Sequence, residues 1–492
     1  MATETRRHKL KEYLQNGIDY LKSKGVDYGD IRQVEQTSEM ILVRNEEVET
    51  LSRSSTRGFG VRVLKDGAWG FSCSNITNEG EMRKVCDEAL EIASSSKITI
   101  KEKVNLAEEP TYVDEFATKY VEDPFDISLD EKTNLLRDAT AVMRKNDKIK
   151  TAEGSMRFLK IDKHFLSTEG SKIHQTILES GAGIECTAML EGETQKRSYP
   201  CSHGGDHQAK GYEFIRNLDL LGHAEKVRED ALMLVKAPNC PKGRHDIVIG
   251  SSQMVLQIHE SCGHPIELDR VFGDEISLAG GSFLQPEKLN KLQYGSKIVN
   301  IFADATIPGS IGSFGYDDEG VKAQRTQIIR DGLFINYLMS RQSAHQLSRI
   351  IGKPARSNGA MRADGWNRIP LIRMININLE PRKGTLEDII SDTQDGIYLD
   401  TNKSWSIDDT RINFQFGVEW AQEIKNGKLG QVYKNAVYTG ITPEFWNSCD
   451  SIGGREGWYV WGLPNCGKGD PMQTAHVAHG VPPARFHQVQ LL

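Results

Sequence analysis

Two histidines and a glutamate within six residues carry the most specific chemistry in this chain. The run from His259 to His264 reads HESCGH, with Glu260 directly after the first histidine. Neutral imidazoles are the usual nitrogen ligands for zinc. A carboxylate one residue from such a ligand can face an open coordination position and take a proton from water without itself ligating. The chemistry indicated is hydrolysis at a metal, with His259 and His264 as ligands and Glu260 as general base. The spacing is one residue longer than the common H-E-x-x-H. At about 100° per residue, an i,i+4 pair lies about 40° apart around a helix and an i,i+5 pair about 140° apart. A regular helix cannot aim both rings at one ion, so the spacing requires a π-type turn or a helix end between the two histidines. Gly263 is expected to permit unusual dihedrals there, and Pro265 to stop the helix.

Two imidazoles leave zinc short of three protein ligands and one water. Cys262 is close in sequence but sits between the histidines. Cys466, in PNCGKGD, lies in a turn bounded by Pro464, Gly467 and Gly469 that could present a thiolate. His476 and His479, in AHVAHG, are rival ligands, although such a spacing also suits a surface pair. The residue types alone leave this choice open.

The element that positions the motif is expected to be a helix over SSQMVLQIHESCG, capped by Ser251 or Ser252 and preceded by the buried strand DIVIG. From Ile298 onward, strand-like runs between Gly and Asp turns predict a large antiparallel sheet or sandwich. Upstream, apolar positions at helical spacing (Leu10, Tyr13, Leu14, Ile18, Leu21) predict a helix over Thr5 to Lys24. Antiparallel strands follow, then a helix from Glu79 to Ser94, a helix from Leu129 to Lys145, a second meander, and a helix from Tyr212 to Lys236. The fold class is therefore α+β. The expected units are an N-terminal α+β unit over 1–110, a central β-meander with helices over 111–236, and a C-terminal β-rich domain over 237–492. The last break is placed where Pro238, Pro241 and Gly243 interrupt both regular periods.

At 492 residues the chain is too long for a single core. With 38% hydrophobic and 26% charged residues it has the composition of a folded protein. A net charge of -7 with no basic stripe gives no field that would draw nucleic acid. No stretch approaches the roughly 20 apolar residues of a membrane span, and the N-terminus has no signal-peptide run, so a cytoplasmic location is expected. The eight cysteines include no C-x-x-C pair and are read mostly as free thiols.

HESCGHPIE, followed by DDEG at Asp317–Gly320, GIY at Gly396–Tyr398 and CGK at Cys466–Lys468, resembles the TldD/PmbA (TldE) family of metallopeptidases. GFGVRVLKDGAWGFSCSN is similar to that family's opening domain. The resemblance implies Zn2+ held by His259, His264 and Cys466, with Glu260 as the base, and a catalytic TldD-like subunit. It also implies unfolded or linear peptide substrates, and a homodimer or a heterodimer with a TldE-like partner that lacks the motif. The family's older label, modulator of DNA gyrase, suggests a nucleic-acid role that the charge pattern does not support. The alternatives are a non-catalytic, zinc-bound regulatory subunit and a zinc hydrolase of modified peptides. Neither the residue pattern nor the resemblance identifies oxyanion-stabilising groups; His345, Arg356 and Arg362 are the candidates. The GDPMQTAHVAHGVPP tail and the SLAGGSFL stretch depart from the family pattern.

Overall fold

The computed structural model describes residues 2–278 and 280–492, with side chains from residue 12 onward, so the Leu10 side chain lies outside the described residues. The fold is α+β with mainly antiparallel sheets. The opening helix runs over Ala2–Ser23 and buries Leu14, Ile18 and Leu21. Its apolar stripe covers an eight-stranded sheet that takes strands from Tyr28 to Gln208. Strands from residues 1–110 and 111–236 share this sheet, because Tyr28–Arg44 pairs with both Glu47–Lys65 and Ile149–Ser167. Helices Leu129–Met143 and Leu220–Leu234 contribute to a second apolar cluster with this sheet. The helix expected over Tyr212 to Lys236 is two helices, Glu213–Leu218 and Leu220–Leu234. The break is Asp219, which adopts φ 47° and whose carboxylate accepts from the Gly222 amide at 3.2 Å. A capping side chain in the left-handed region ends one helix and starts the next.

The remainder of the chain packs around one large core. Five strands there close into a ring. Gly243–Ile249 pairs in parallel with Asp395–Ile407 and antiparallel with Ala484–Leu491. Ala484–Leu491 continues to Val437–Ile441, that strand to Asn413–Lys425, and the last back to Asp395–Ile407. The GIY stretch belongs to this ring, with Ile397 facing Ile247 across the parallel pair. Closing the ring leaves each of its five strands paired on both sides over part of its length, although Asp395–Ile407 is covered by Gly243–Ile249 only at Ile397–Leu399.

The DDEG stretch joins the sheet to the ring portion. Asp318 meets the partly buried Lys163 at 2.6 Å and Arg32 at 3.6 Å, and Glu319 meets Arg62 at 3.3 Å, with Asp318, Arg32, Glu319 and Arg62 all buried. Asp317 accepts the amides of Glu319 and Val321 at 2.9 Å, which sets the turn that presents both neighbours. Gly320 closes it at φ 75°. A helix at Arg341–Ile351 was not anticipated. Ser340 and Ser343 form a capping box at its start and Gly352 ends it at φ 65°. Among the described residues, no helix is long and apolar enough to cross a membrane.

Candidate metal centre

The helix carrying the motif begins at Ser251, but neither serine caps it. The N-cap is Gly250, and the Ser252 hydroxyl donates instead to Asp400 at 2.6 Å. Regular helix ends at Ile258, and His259–Gly263 forms a single π-type turn. The His264 amide donates to the His259 carbonyl at 3.1 Å, a five-residue closure. The two rings consequently meet edge-on with centroids 4.8 Å apart. The turn is held from behind: the Tyr294 hydroxyl donates to the Ser261 carbonyl and the Trp446 indole donates to the Ser261 hydroxyl, each at 2.9 Å. Gly263 does not supply an unusual dihedral, since it is absent from the positive-φ glycines. It is required for close packing, because a Cβ there would lie 2.0 Å from Met374 Sδ.

A β-hairpin from the end of the chain closes the site. Tyr459–Lys468 pairs with Gln473–Val481, placing Cys466 opposite Ala475 and Trp461 opposite His479. Cys466 Sγ lies 3.9 Å from His264 Nε2, and the donor atoms of His259, His264 and Cys466 all fall within 4.8 Å of one another among buried residues. A tetrahedron with corners about 2.0–2.3 Å from its centre has edges of roughly 3.3–3.8 Å, so this set could hold one ion.

The free ring nitrogens are fixed by what lies behind them. The His479 Nδ1–H donates to the Ile377 carbonyl at 2.9 Å, which makes His479 Nε2 an acceptor. It accepts from His259 Nδ1–H at 2.8 Å, leaving the lone pair of His259 on Nε2. His264 Nδ1 faces Glu267 Oε2 at 3.2 Å, leaving its Nε2 toward Cys466. Outer partners of this kind orient metal-binding imidazoles. His479 is therefore a fully buried orienting residue, and the surface-pair reading of His476 and His479 is corrected. His476 contacts Glu179 and lines another cavity with Arg32 and Asp318.

The protonation states suit a metal. Burial pushes His259 down and His264 to about 4. Burial pushes the Cys466 thiol up, but the hydrogen bond and charge of His264 together with the Arg373 guanidinium outweigh it and leave the thiol below its ordinary value. Burial raises the Glu267 carboxyl, yet Lys468 and Arg270 hold it well below the carboxylate range. Lys468, the lysine of CGK, is itself fully buried and donates to Asp269 at 2.7 and 2.8 Å. Cys262 points into the hydrophobic core, where burial drives its thiol to about 12, and it is not part of the donor set.

Glu260 lines the same cleft of about 390 Å³ as His259, His264 and Cys466. Its Oε2 is 2.5 Å from Arg411 Nη1, a buried pair. Sequence reasoning missed Arg411. It is delivered by a turn in which Asp408 accepts the amides of Thr410, Ile412 and Asn413. Arg411 itself sits at φ 67°, and its carbonyl accepts from Thr442. The only local signal was the acidic turn residue in DDTRIN. His345 and Arg356 line a separate surface pocket that shares no residue with this cleft. Arg362 donates to the carbonyls of Met374 and His476 and lines the cavity that holds His476.

The chain matches three family models in order: PmbA/TldA metallopeptidase domain 1 over residues 29–93, the central domain over 122–235 and the C-terminal domain over 242–491. It is 31% identical to Metalloprotease MJ0996 of Methanocaldococcus jannaschii over 414 residues, covering 84% of this chain and 87% of that one. It is 22% identical to the zinc metalloprotease TldD homolog of Saccharolobus solfataricus over 430 residues, 87% and 89% of the two chains. The solved TldE from Thermococcus kodakarensis has the same fold, with a TM-score of 0.70 at 17% identity over 97% of this chain and 99% of that one. The gaps between the matched spans are short, and the longest span holds every residue of the donor set, so the chain belongs to the PmbA/TldD family of metallopeptidases.

Proposed function

We propose that this chain is a zinc-dependent peptidase acting on unfolded or linear peptides, with His259, His264 and Cys466 as metal ligands and Glu260 as general base. The observation that supports this reading most is the convergence of three donor atoms beside one carboxylate in a single cleft. Two imidazoles and a thiolate suit zinc, and oxygen-seeking ions prefer other donors. When bound, zinc supplies the Lewis acidity that acidifies water and polarises a carbonyl. Glu260 takes the water proton and returns it to the leaving amine. Arg411 fixes the Glu260 carboxylate at the cleft wall and brings a positive charge to the place where negative charge develops.

A peptide has a place to lie. Asp395–Ile407 is paired with Asn413–Lys425 as far as Ile407, whereas Gly243–Ile249 covers its other edge only at Ile397–Leu399. Trp405, Ser406 and Ile407 line the metal cleft, and Trp405 is 48% exposed. An extended peptide added to this edge would be read through its backbone, giving broad side-chain tolerance. Pairing with a second copy or with a TldE-like subunit would enclose the cleft, and the acidic net charge argues against a nucleic-acid partner.

Digestion of a peptide library with and without a zinc chelator tests the proposal. Cleavage that stops with chelator and returns with zinc is expected. A zinc-loaded protein that cleaves nothing would instead leave a non-catalytic subunit. A second expectation concerns His479. Replacement by Ala should weaken zinc binding about 10–100-fold, measured by chelator competition. His479→Gln, whose side-chain carbonyl can accept the same hydrogen from His259, should recover much of it.

A further inference from the structure

A second group of metal-binding side chains lies on the N-terminal sheet, in residues that the proposed catalysis does not use. His164 and His174 stand directly opposite each other on the antiparallel strands Ile149–Ser167 and Lys172–Leu190, and Asp162 faces Thr176 one pair further along that face. The two rings stack with centroids 4.2 Å apart and planes 8° from parallel. Asp162 spans both: Oδ1 is 3.3 Å from His164 Nε2 and Oδ2 is 2.9 Å from His174 Nε2. The donor atoms of the three residues lie within 4.8 Å of one another.

Register brings more acid to the same face. Glu115, on the exposed strand Val113–Ala117, is the neighbour of His174, and Glu35 is the neighbour of Asp162 on the strand Tyr28–Arg44. Cross-strand neighbours project to the same side of a sheet. The row therefore sets two imidazoles among three carboxylates, with Arg57 3.9 Å from Glu35. A cavity of about 290 Å³, lined by both rings, Asp114 and Glu115, opens beside them.

We propose that His164, His174 and Asp162 form a second divalent-ion site, taking a transition ion of the zinc, nickel or copper class. Two imidazoles and one carboxylate select such ions over magnesium or calcium, which prefer all-oxygen sets. A coordinated ion must lie in the plane of each imidazole, and two parallel stacked rings share no such point. Binding therefore breaks the stack. Both rings border the cavity, and His174 has more room to turn, since its side chain is 11% exposed and that of His164 5%. Turning leaves Asp162 between the rings, where the ion takes the positions of the two Nε2 protons that the carboxylate now accepts, and each imidazole stays neutral by carrying its proton on Nδ1 instead. Asp162 supplies the negative charge that the ion meets directly, and Lys172 lines the same cavity. The site would tie together the two long strands at the centre of the sheet.

Equilibrium dialysis of the full chain against excess ZnCl2, followed by metal analysis, tests this. Two zinc ions per chain are expected for the wild type, one for His174→Gln and one for Cys466→Ser, so the two sites report separately. His164→Gln should match His174→Gln, and both glutamines can still hydrogen-bond Asp162 and preserve the fold. Loading the His259→Ala/Cys466→Ser chain, which lacks two ligands of the first site, with CuCl2 should give a copper electron-paramagnetic spectrum with nitrogen coupling that the added His174→Gln abolishes. Retention of two zinc ions by both His164→Gln and His174→Gln would overturn the proposal. So would a Cys466→Ser chain that binds none, which would mean that the His–Asp–His group is a hydrogen-bonded clamp only.

Discussion

Replacing Glu260 by Gln is expected to leave zinc in place while slowing peptide hydrolysis about 100 to 10,000-fold, the usual cost of losing a general base. Gln keeps the shape of the side chain and can still accept from Arg411, but it cannot take a proton from water. Removing one charge of the buried Glu260–Arg411 pair also has a stability cost, of about 3–5 kcal/mol where both partners are fully desolvated. Glu260 is 6% exposed at the wall of an open cleft, so a smaller loss is expected. Zinc content, thermal midpoint and cleavage of an unfolded peptide should be measured on the same preparations. His259→Ala is the contrast, expected to lose zinc and activity together. A Glu260→Gln protein that cleaves at close to the wild-type rate would sink the mechanism, whatever its metal content.

The two cysteines nearest the motif in sequence and in space should separate cleanly. Cys466→Ser is expected to weaken zinc binding by more than about 100-fold, beyond the effect of losing an outer partner, because a serine hydroxyl stays protonated where a thiolate would bind. Cys262→Ser should keep zinc and lose at most about 1–3 kcal/mol of stability, the cost of a hydroxyl placed in an apolar core, offset in part by the Tyr294 hydroxyl beside it. Metal analysis and denaturant unfolding of both variants decide it. Loss of zinc from Cys262→Ser with retention by Cys466→Ser would reverse the ligand assignment.

The local part of the site was legible. The i,i+5 spacing of His259 and His264 demanded a widened turn, and Glu260 followed from its place in the run. What could not be read was contact across long separations. Cys466 competed with His476 and His479 until the family resemblance favoured it, because nothing local says that Tyr459–Lys468 docks against the motif helix. His479 looked like half of a surface pair, and only the fold shows it buried behind His259 with its proton directed to Ile377. Arg411 gave no signal beyond an acidic turn. The same limit applies to the strands: their existence was visible in alternation, whereas the ring they close depends on Gly243–Ile249 finding Ala484–Leu491. Two helix boundaries have ordinary sequence signals. Asp219 and Ser340 are both capping residues, each masked by a stronger periodic pattern around or beside it.

The hairpin that carries Cys466 and His479 also sets when the protein can become active during its own synthesis. His264 and Cys466 are separated by 202 positions, and His259 and His479 by 220. At about 5–20 residues per second, a ribosome needs roughly 10–40 s to travel from the motif helix to the thiolate. Throughout that interval the emerging chain holds His259, Glu260 and His264 but lacks Cys466 and His479, the residue that fixes the ring of His259. On the proposed assignment, a nascent chain built this way cannot complete its metal centre, and so cannot cut neighbouring unfolded chains, until this hairpin has left the exit tunnel and docked.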